Sequence, residues 1–149
     1  MTDTRSLSRV EEYVRGQLEL RYGQPFHSED LALVHGGRHE FDAVSEDRTI
    51  VGQIKSHKGT TAGGRANIGG LHAAAEELFW LGQVAAGKRL LVVTDSDFRS
   101  RLTSKVGASL PPGFEIEFVK LDQEHRRIVE NVNLKSSQEQ RGVARPPPV

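Results

Sequence analysis

Apolar residues recur every three or four positions near the start of the chain. The residues concerned are Leu7, Val10, Val14 and Leu18. This spacing predicts an amphipathic helix over about residues 7–22. Ser8-Arg9-Val10-Glu11 matches a capping box at its beginning, and Gly23 followed by Pro25 predicts where it ends.

Three segments with strand character follow this helix. They lie at residues 30–35, 40–44 and 49–57 and are short, alternating or rich in β-branched residues. A polar loop at residues 45–48 separates the last two, so the three strands are predicted to form an antiparallel meander. This loop would place Glu40 opposite Gln53 and Asp42 opposite Val51.

The second half of the chain alternates helices with strands, after a glycine-rich and mobile loop at 58–70. The predicted elements are helices at 71–86 and 95–106 and strands at 90–94 and 114–121. Because these strands arrive through helices, they should join the sheet by crossovers. The predicted fold class is α/β, a sandwich in which a mixed central β-sheet is flanked by helices on both faces.

The composition is typical of one globular domain. The chain has 149 residues, of which 36% are hydrophobic and 27% are charged. One domain is predicted for residues 1–135, followed by a polar, proline-rich tail at 136–149, of which 141–149 should be disordered or extended. Neither a secretion signal nor an apolar stretch of membrane-spanning length is visible, so we expect a cytoplasmic protein without membrane contact.

Charge and cysteine content limit the kinds of function. Twenty basic residues balance twenty acidic ones, which disfavours a protein that coats nucleic acid through bulk positive charge. The absence of cysteine excludes disulfides and thiolate metal sites. A local basic patch beside an acidic metal site is still compatible with this composition.

Polar side chains gather on one surface of the predicted hairpin. Alternation along each strand places Glu40 with Asp42, and Gln53 with Lys55. Carboxylate and amide oxygens are ligands suited to Mg²⁺ or Mn²⁺, which would polarise a phosphodiester. A lysine beside them would orient water or stabilise charge on the phosphate. The other interpretation is an exposed polar strand face with a surface ion pair.

Asp42, followed eleven residues later by Gln53-Ile54-Lys55, resembles the motif of the PD-(D/E)xK nuclease superfamily, in particular the Gln-x-Lys form of its Mrr-like restriction endonuclease branch. The predicted order of elements over residues 7–95 is similar to that restriction-endonuclease-like fold. The resemblance implies that Asp42, Gln53 and the backbone carbonyl of Ile54 hold the metal. It also implies that Lys55 assists the attacking water.

The sequence departs from the family pattern at two positions. Phe41 stands where the signature has proline, and Gln53 replaces a carboxylate. Glu11, which matches a glutamate that many members carry on the first helix, and Glu40 are the candidates to supply the missing charge. The alternative for Glu11 is a capping-box residue that favours the helix dipole.

Residues beyond the motif are candidates for contacting nucleic acid. His57 follows Lys55 on the same strand face, and Lys58 and Arg65 lie in the glycine-rich loop, where they would approach a phosphate backbone. The alternatives are a polar rim for His57 and a plain flexible loop for the two cations. Phe79 and Trp80 are interpreted as core or interface residues.

These observations predict a Mg²⁺-dependent DNA endonuclease, a hydrolase in which Mn²⁺ would also serve. One such site cuts one strand, so double-strand cleavage would imply a homodimer. The alternative is a catalytically inactive nuclease-fold module that binds nucleic acid or a protein partner. A nuclease acting on RNA is a third interpretation that the sequence leaves open.

Overall fold

The computed structural model describes residues 4–61 and 63–143. The elements follow one another as α1 (Thr4–Tyr22), β1 (Phe26–Ala32), β2 (Arg38–Ser45), β3 (Ile50–Lys55), α2 (Ile68–Leu81), β4 (Lys88–Val93), α3 (Ser96–Val106), β5 (Phe114–Phe118) and α4 (Gln123–Val143). A short 3-10 turn at Gly107–Ser109 follows α3. None of the helices in this described part combines the length and apolar character needed to cross a bilayer.

The five strands form one mixed sheet in the order β1-β2-β3-β4-β5. The first three are antiparallel neighbours, whereas β3, β4 and β5 run parallel and are connected through α2 and α3. A parallel pair needs such a crossover, because the chain must return to the same end of the sheet. The predicted α/β class and mixed sheet are therefore confirmed.

Helices cover both faces of the sheet, as predicted, and each face has its own apolar core. On one face α1 and α4 contribute Val10, Val14, Leu18 and Val129. On the other, α2 and α3 contribute Leu71, Ala74, Leu81, Phe98 and Leu102. The central strand β4 supplies both cores, since its Leu90, Leu91, Val92 and Val93 are fully buried.

The capping-box interpretation of the first helix is wrong. Helix α1 already includes Thr4, so Ser8 and Glu11 lie within it rather than at its first turn. Gly23 ends the helix with a left-handed backbone (φ 72°) and a hydrogen bond from its N–H to the carbonyl of Glu19 (2.8 Å). Strand β1 then begins at Phe26, four residues earlier than predicted.

The predicted register between β2 and β3 is wrong by two residues. Val51 pairs with Val44, not with Asp42, and Gly52 pairs with Ala43. The loop begins one residue later than predicted because the hydroxyl of Ser45 accepts the N–H of Ile50 (3.0 Å). A shift of two residues leaves the alternation of side chains unchanged within these pairs, but the extra residue of β2 beside Asp42 breaks it, since Phe41 and Ala43 belong to the cores on opposite faces of the sheet.

Helix α4 was not predicted. Asp122 caps it by accepting the N–H of His125 (2.8 Å), and Val129 and Val132, three positions apart, are its buried residues. The helix runs through the predicted domain limit at residue 135 and includes residues 141–143, which were predicted to be disordered or extended. Residues 144–149 of the predicted tail lie outside the described part of the chain.

Candidate active site

The site begins where strands β2 and β3 separate. Beyond the pair Ala43–Gly52, the two strands are joined through side chains: Asp42 Oδ2 accepts the N–H of Ile54 (2.8 Å), and Gln53 Oε1 accepts the N–H of Asp42 (3.1 Å). Strand β2 also carries one extra residue relative to β1 at this point, the arrangement of a β-bulge. These bonds fix the Asp42 carboxylate at the gap between the strands.

Lys55, at the end of β3, forms an ion pair with a residue of α2. Its Nζ lies 3.2 Å from Glu77 Oε1, and only about a fifth of each side chain is exposed. The second oxygen, Glu77 Oε2, is buried and has no hydrogen-bond partner among the described residues. A carboxylate oxygen in that condition is costly unless a cation or solvent satisfies it.

Helix α1 contributes an acidic and a basic side chain to the same region. Arg15 Nη1 donates to the backbone carbonyl of Asp42 (2.9 Å) and lies 4.0 Å from Glu11 Oε2. Glu11 and Arg15 are four residues apart, so they project from one face of the helix. Arg15 therefore bridges Glu11 and the backbone of Asp42, and Glu11 is not a capping residue.

The carboxylates of the site influence one another. Burial raises the pKa of Asp42, the N–H of Ile54 lowers it, and the charge of Glu77 raises it further. Burial likewise raises the pKa of Glu11, and the charges of Asp42 and Glu40 add to this effect. Two cations, Lys55 and Arg15, act in the opposite direction on both groups. Four carboxylates thus share two cations, which leaves the site with excess negative charge.

Gln53 is part of the site but is held tightly within it. It is only 2% exposed, and because its Oε1 accepts the N–H of Asp42, its Nε2 faces His39 Nε2 (3.2 Å). The His39 ring stacks on Trp80 of α2, with ring centroids 4.4 Å apart and an interplanar angle of 8°. Gln53 therefore connects the two strands, and one lone pair of its oxygen is already used.

Glu40 lies at the rim rather than at the centre of the site. Its side chain is exposed, and its Oε1 accepts the hydroxyl of Ser28 on β1 (2.8 Å). It reaches the other acidic groups only through its charge, which raises the pKa of Glu11.

The three residues predicted to contact nucleic acid lie in different surroundings. His57 packs its ring near Phe98 (5.8 Å between centroids), and burial, followed by the charge of Lys55, lowers its pKa. It is therefore uncharged at neutral pH and would contact a phosphate by hydrogen bonding alone. Lys58 is exposed, with its Nζ 3.9 Å from Glu130 Oε1. Arg65 is exposed in a loop that is closed by a bridge between Thr60 and Ala66.

The donor set fits a hard divalent cation. Asp42, Glu11 and Glu77 supply carboxylate oxygens, and the partnerless Glu77 Oε2 is an oxygen that a cation would satisfy. The three carboxylates do not form a ready-made cluster, however. Within the described residues, the one group of acidic or histidine ligand atoms lying within 4.8 Å of one another is Asp122, Glu124 and His125. That group is exposed and is explained by the capping of α4.

Glu77, Arg15 and His39 were not predicted as site residues. For two of them the sequence carries a signal: Glu77 lies three residues after the buried Ala74 and four before the buried Leu81, on the inward side of α2, and Arg15 lies one turn after Glu11. His39 carries no such signal, because its contact with Gln53 depends on where β2 bulges.

The class of the protein is thus an α/β domain with a five-stranded mixed sheet and an acidic site at the gap between β2 and β3. Comparison with models of known protein families, with curated proteins and with solved structures found no match. Because a fold alone does not determine a function, the functional argument rests on the residues of the site.

Proposed function

We propose that the chain is a metal-dependent DNA endonuclease with a restriction-endonuclease-like fold. The observation that carries this proposal is the group of acidic side chains around Lys55. Asp42, Glu11 and Glu77 come from β2, α1 and α2 and influence one another electrostatically at the end of β3. A polar group of this kind, partly buried between helices and sheet, is costly for stability and is typical of a catalytic site.

The metal would be held by oxygens of the acidic group. Asp42 and Glu77 are the principal candidates, together with the backbone carbonyl of Ile54 and the remaining lone pair of Gln53 Oε1. Glu11 and Glu40 would complete or surround this set, since Glu40 is already bonded to Ser28. Mg²⁺ or Mn²⁺ bound there would supply the positive charge that polarises the phosphodiester and makes the attacking water more acidic.

Lys55 would act on the reacting groups directly. Its ammonium is held by Glu77 at 3.2 Å. From this position the ammonium would donate hydrogen bonds to water or to a phosphate oxygen. In the hydrolysis, the oxygen of water bonds to phosphorus and one P–O ester bond breaks. The proton that water loses finally resides on the leaving oxygen. Arg15 would hold the backbone of Asp42 in place, because it donates to that carbonyl.

A second candidate function is favoured by the environment of Gln53. Its amide oxygen serves to join β2 to β3, and it replaces a carboxylate in the motif. A nuclease-fold module that binds nucleic acid or a protein partner without cleaving would keep this structural role and need no metal. The two candidates therefore differ in whether Asp42 binds a divalent cation.

The experiment that tests the proposal is cleavage of supercoiled plasmid and of single-stranded DNA in Mg²⁺ and in Mn²⁺. Wild type is compared with Asp42→Ala and Lys55→Ala. An RNA of the same length as the single-stranded DNA serves as a competing substrate. We expect metal-dependent nicking that falls by about two orders of magnitude or more in each variant. Linear plasmid produced in one step would support a homodimer with two sites.

Two matched variants control for the loss of charge. Asp30→Ala removes an exposed aspartate that pairs with Arg38, and Lys88→Ala removes a lysine at the opposite end of the parallel strands. Both should cleave like the wild type. Unchanged cleavage in Asp42→Ala and Lys55→Ala would contradict the assigned site, and a folded wild type without any cleavage would favour the binding module.

A further inference from the structure

A cleft of about 490 Å³ opens at the carboxyl ends of the three parallel strands. Ser56, which follows β3, Thr94, which follows β4, and Lys120, which follows β5, line one side of it. Arg126 and Glu130 of α4 line the other side. The cleft is separate from the acidic site but begins at Ser56, the residue next to Lys55.

The cleft carries cations that the protein does not neutralise. Lys120 and Arg126 are exposed, and neither forms an ion pair with any of the described residues. The third cation, Lys58, has only the distant partner Glu130 (3.9 Å). Two carboxylates, Asp95 and Glu130, also line the cleft, so three cations face two negative charges; Asp95 is held in place by the N–H groups of Gly59 and Phe98 (both 2.9 Å). The cleft therefore has positive charge available for an anion.

The cleft also contains hydrogen-bond donors suited to phosphate. Ser56, Thr94 and Ser96 line it together with the cations, and hydroxyls with lysine and arginine are the usual donors to phosphate oxygens. The aromatic ring at the cleft, Phe118, is covered by the guanidinium of Arg99, which lies 5.6 Å from the ring centroid. A base would therefore not stack on it without displacing Arg99.

The cleft is at the distance that a continuous strand would cover. Strand β5 lies two inter-strand spacings from β3, about 10 Å, so Lys120 is within a few nucleotides of a phosphodiester placed at Lys55. Side chains alternate at the end of β3, so Lys55 faces α2 and Ser56 faces α4. A backbone that passes over this edge of the sheet would contact the acidic site first and the cleft next.

We propose that this cleft, through Lys58, Lys120 and Arg126, binds phosphates of the nucleic-acid backbone that flank the scissile one. This assignment rests on the proposed nuclease function for its substrate. The cleft would let a chain of zero net charge bind a polyanion locally. Because the cleft would contact phosphates rather than bases, we expect this binding to show no sequence preference.

Binding is measured without cleavage, so that the cleft and the active site are tested separately. The probe is a fluorescently labelled 12-nucleotide single strand and its duplex in EDTA, followed by fluorescence anisotropy from low to moderate salt. We expect Lys120→Ala and Arg126→Ala each to weaken binding about three- to tenfold and to reduce the slope of log K against log salt by about 1. In the double variant the two losses of affinity should multiply, and the slope should fall by about 2.

Arg127→Ala is the matched control, since Arg127 is an exposed arginine adjacent to Arg126 that does not line the cleft. An equal loss of affinity in Arg127→Ala, or an unchanged salt slope in the double variant, would overturn the proposal. Inorganic phosphate is tested as a competitor: displacement of the oligonucleotide at micromolar phosphate would identify a small-anion pocket instead and would also overturn it.

The two experiments distinguish a wrong assignment of the cleft from a wrong assignment of the nuclease function. If the cleft variants bind normally while Asp42→Ala abolishes cleavage, the cleft assignment is wrong and the nuclease function stands. If the cleft variants lose binding while wild type cleaves nothing, the cleft is correct and the protein is a binding module. The variants Lys120→Ala, Arg126→Ala and Arg127→Ala change exposed side chains, and unfolding temperatures equal to that of the wild type would verify that they are folded.

Discussion

Lys55 and Glu77 form an ion pair of 3.2 Å that joins the end of β3 to α2. One oxygen of Glu77 is used in this pair, and the other is buried without a hydrogen-bond partner among the described residues. A residue that served only to neutralise Lys55 would gain from satisfying both oxygens. This free oxygen is the reason why we propose Glu77 as a ligand of a cation.

Glu77→Gln tests this task. The amide retains the size of the side chain but removes the negative charge and replaces one of the two oxygens by an NH2 group, which cannot bind a cation. We expect the rate of plasmid nicking to fall about ten- to a hundredfold, with an increase in the Mn²⁺ concentration needed for half-maximal rate. Glu76→Gln is the matched control, because Glu76 is the exposed neighbour on the same helix. Equal rates in the two variants would restrict Glu77 to a structural role.

The raised pKa of Asp42 predicts how its removal changes stability with pH. Burial makes the folded state bind the Asp42 proton more tightly than the unfolded state does. The contribution of Asp42 to the free energy of unfolding is therefore highest below the ordinary carboxyl pKa and falls as pH rises through the raised pKa. Asp42→Asn cannot ionise and can still accept the N–H of Ile54. We expect it to be more stable than wild type at pH 7.5 by about 0.5–2 kcal/mol while losing cleavage.

Urea unfolding at pH 7.5 and at pH 4 measures this effect. The advantage of Asp42→Asn should shrink at pH 4, because a larger fraction of the folded wild type holds the proton there than at pH 7.5. An advantage of equal size at both pH values would mean that ionisation of Asp42 is not its cause. A less stable variant at pH 7.5 would mean that the carboxylate contributes net stability.

Binding of Mn²⁺ should stabilise the folded protein and should do so more strongly at higher pH. A ligand that binds only the folded state adds about 2.7 kcal/mol at a hundred times its dissociation constant, and here protons compete with the metal for Asp42 and Glu11, whose pKa values are raised. We therefore expect a larger rise of the unfolding temperature at pH 7.5 than at pH 5, and none in Asp42→Ala.

The exposed group at the start of α4 provides the control for this measurement. Asp122→Ala removes one of the three ligand atoms that lie within 4.8 Å of one another, and it should leave the Mn²⁺-dependent stabilisation unchanged once its own loss of capping is subtracted. Stabilisation that disappears in Asp122→Ala and persists in Asp42→Ala would place the metal at the start of α4. This result would contradict the proposed metal site at Asp42.

The sheet could be predicted from the sequence because its strands have strong local patterns. The apolar run in β4 and the β-branched residues of β3 indicate strands wherever they pack. The register of β2 with β3 could not be predicted in this way, since it depends on the bond from Ile50 to the Ser45 hydroxyl. Helix α4 was not predicted because, among its residues up to 134, for which burial is described, only Val129 and Val132 are buried.

From the strand pattern alone, the candidate site could be predicted only within the hairpin of β2 and β3, and Glu11 of α1 was added through the family resemblance. Asp42 and Lys55 lie on adjacent strands of this hairpin, and that adjacency brings them into the same region. Glu77 and Arg15 belong to helices that are distant in sequence, and their approach follows from how the helices pack on the two faces. The pattern of one element does not contain that information.

His39 is expected to position Gln53, and this can be tested through stability and activity together. His39→Phe retains a ring to stack on Trp80 but leaves the buried Gln53 Nε2 without the partner that it has at 3.2 Å. An unsatisfied buried donor costs about 1–3 kcal/mol, so the free energy of unfolding should fall by that amount. Cleavage should fall as well, because Gln53 Oε1 holds the backbone of Asp42.

His35→Phe is the matched control, since His35 is exposed in the turn before β2 and should lose neither stability nor activity. A second variant, Gln53→Leu, removes the orphaned donor. Combined with His39→Phe, it should recover part of the stability lost in His39→Phe alone, a coupling of about 0.5–3 kcal/mol in a double-mutant cycle. Cleavage should not recover with it, because the bond from Asp42 to Gln53 is still missing. Strictly additive losses of stability would show that His39 and Gln53 act independently.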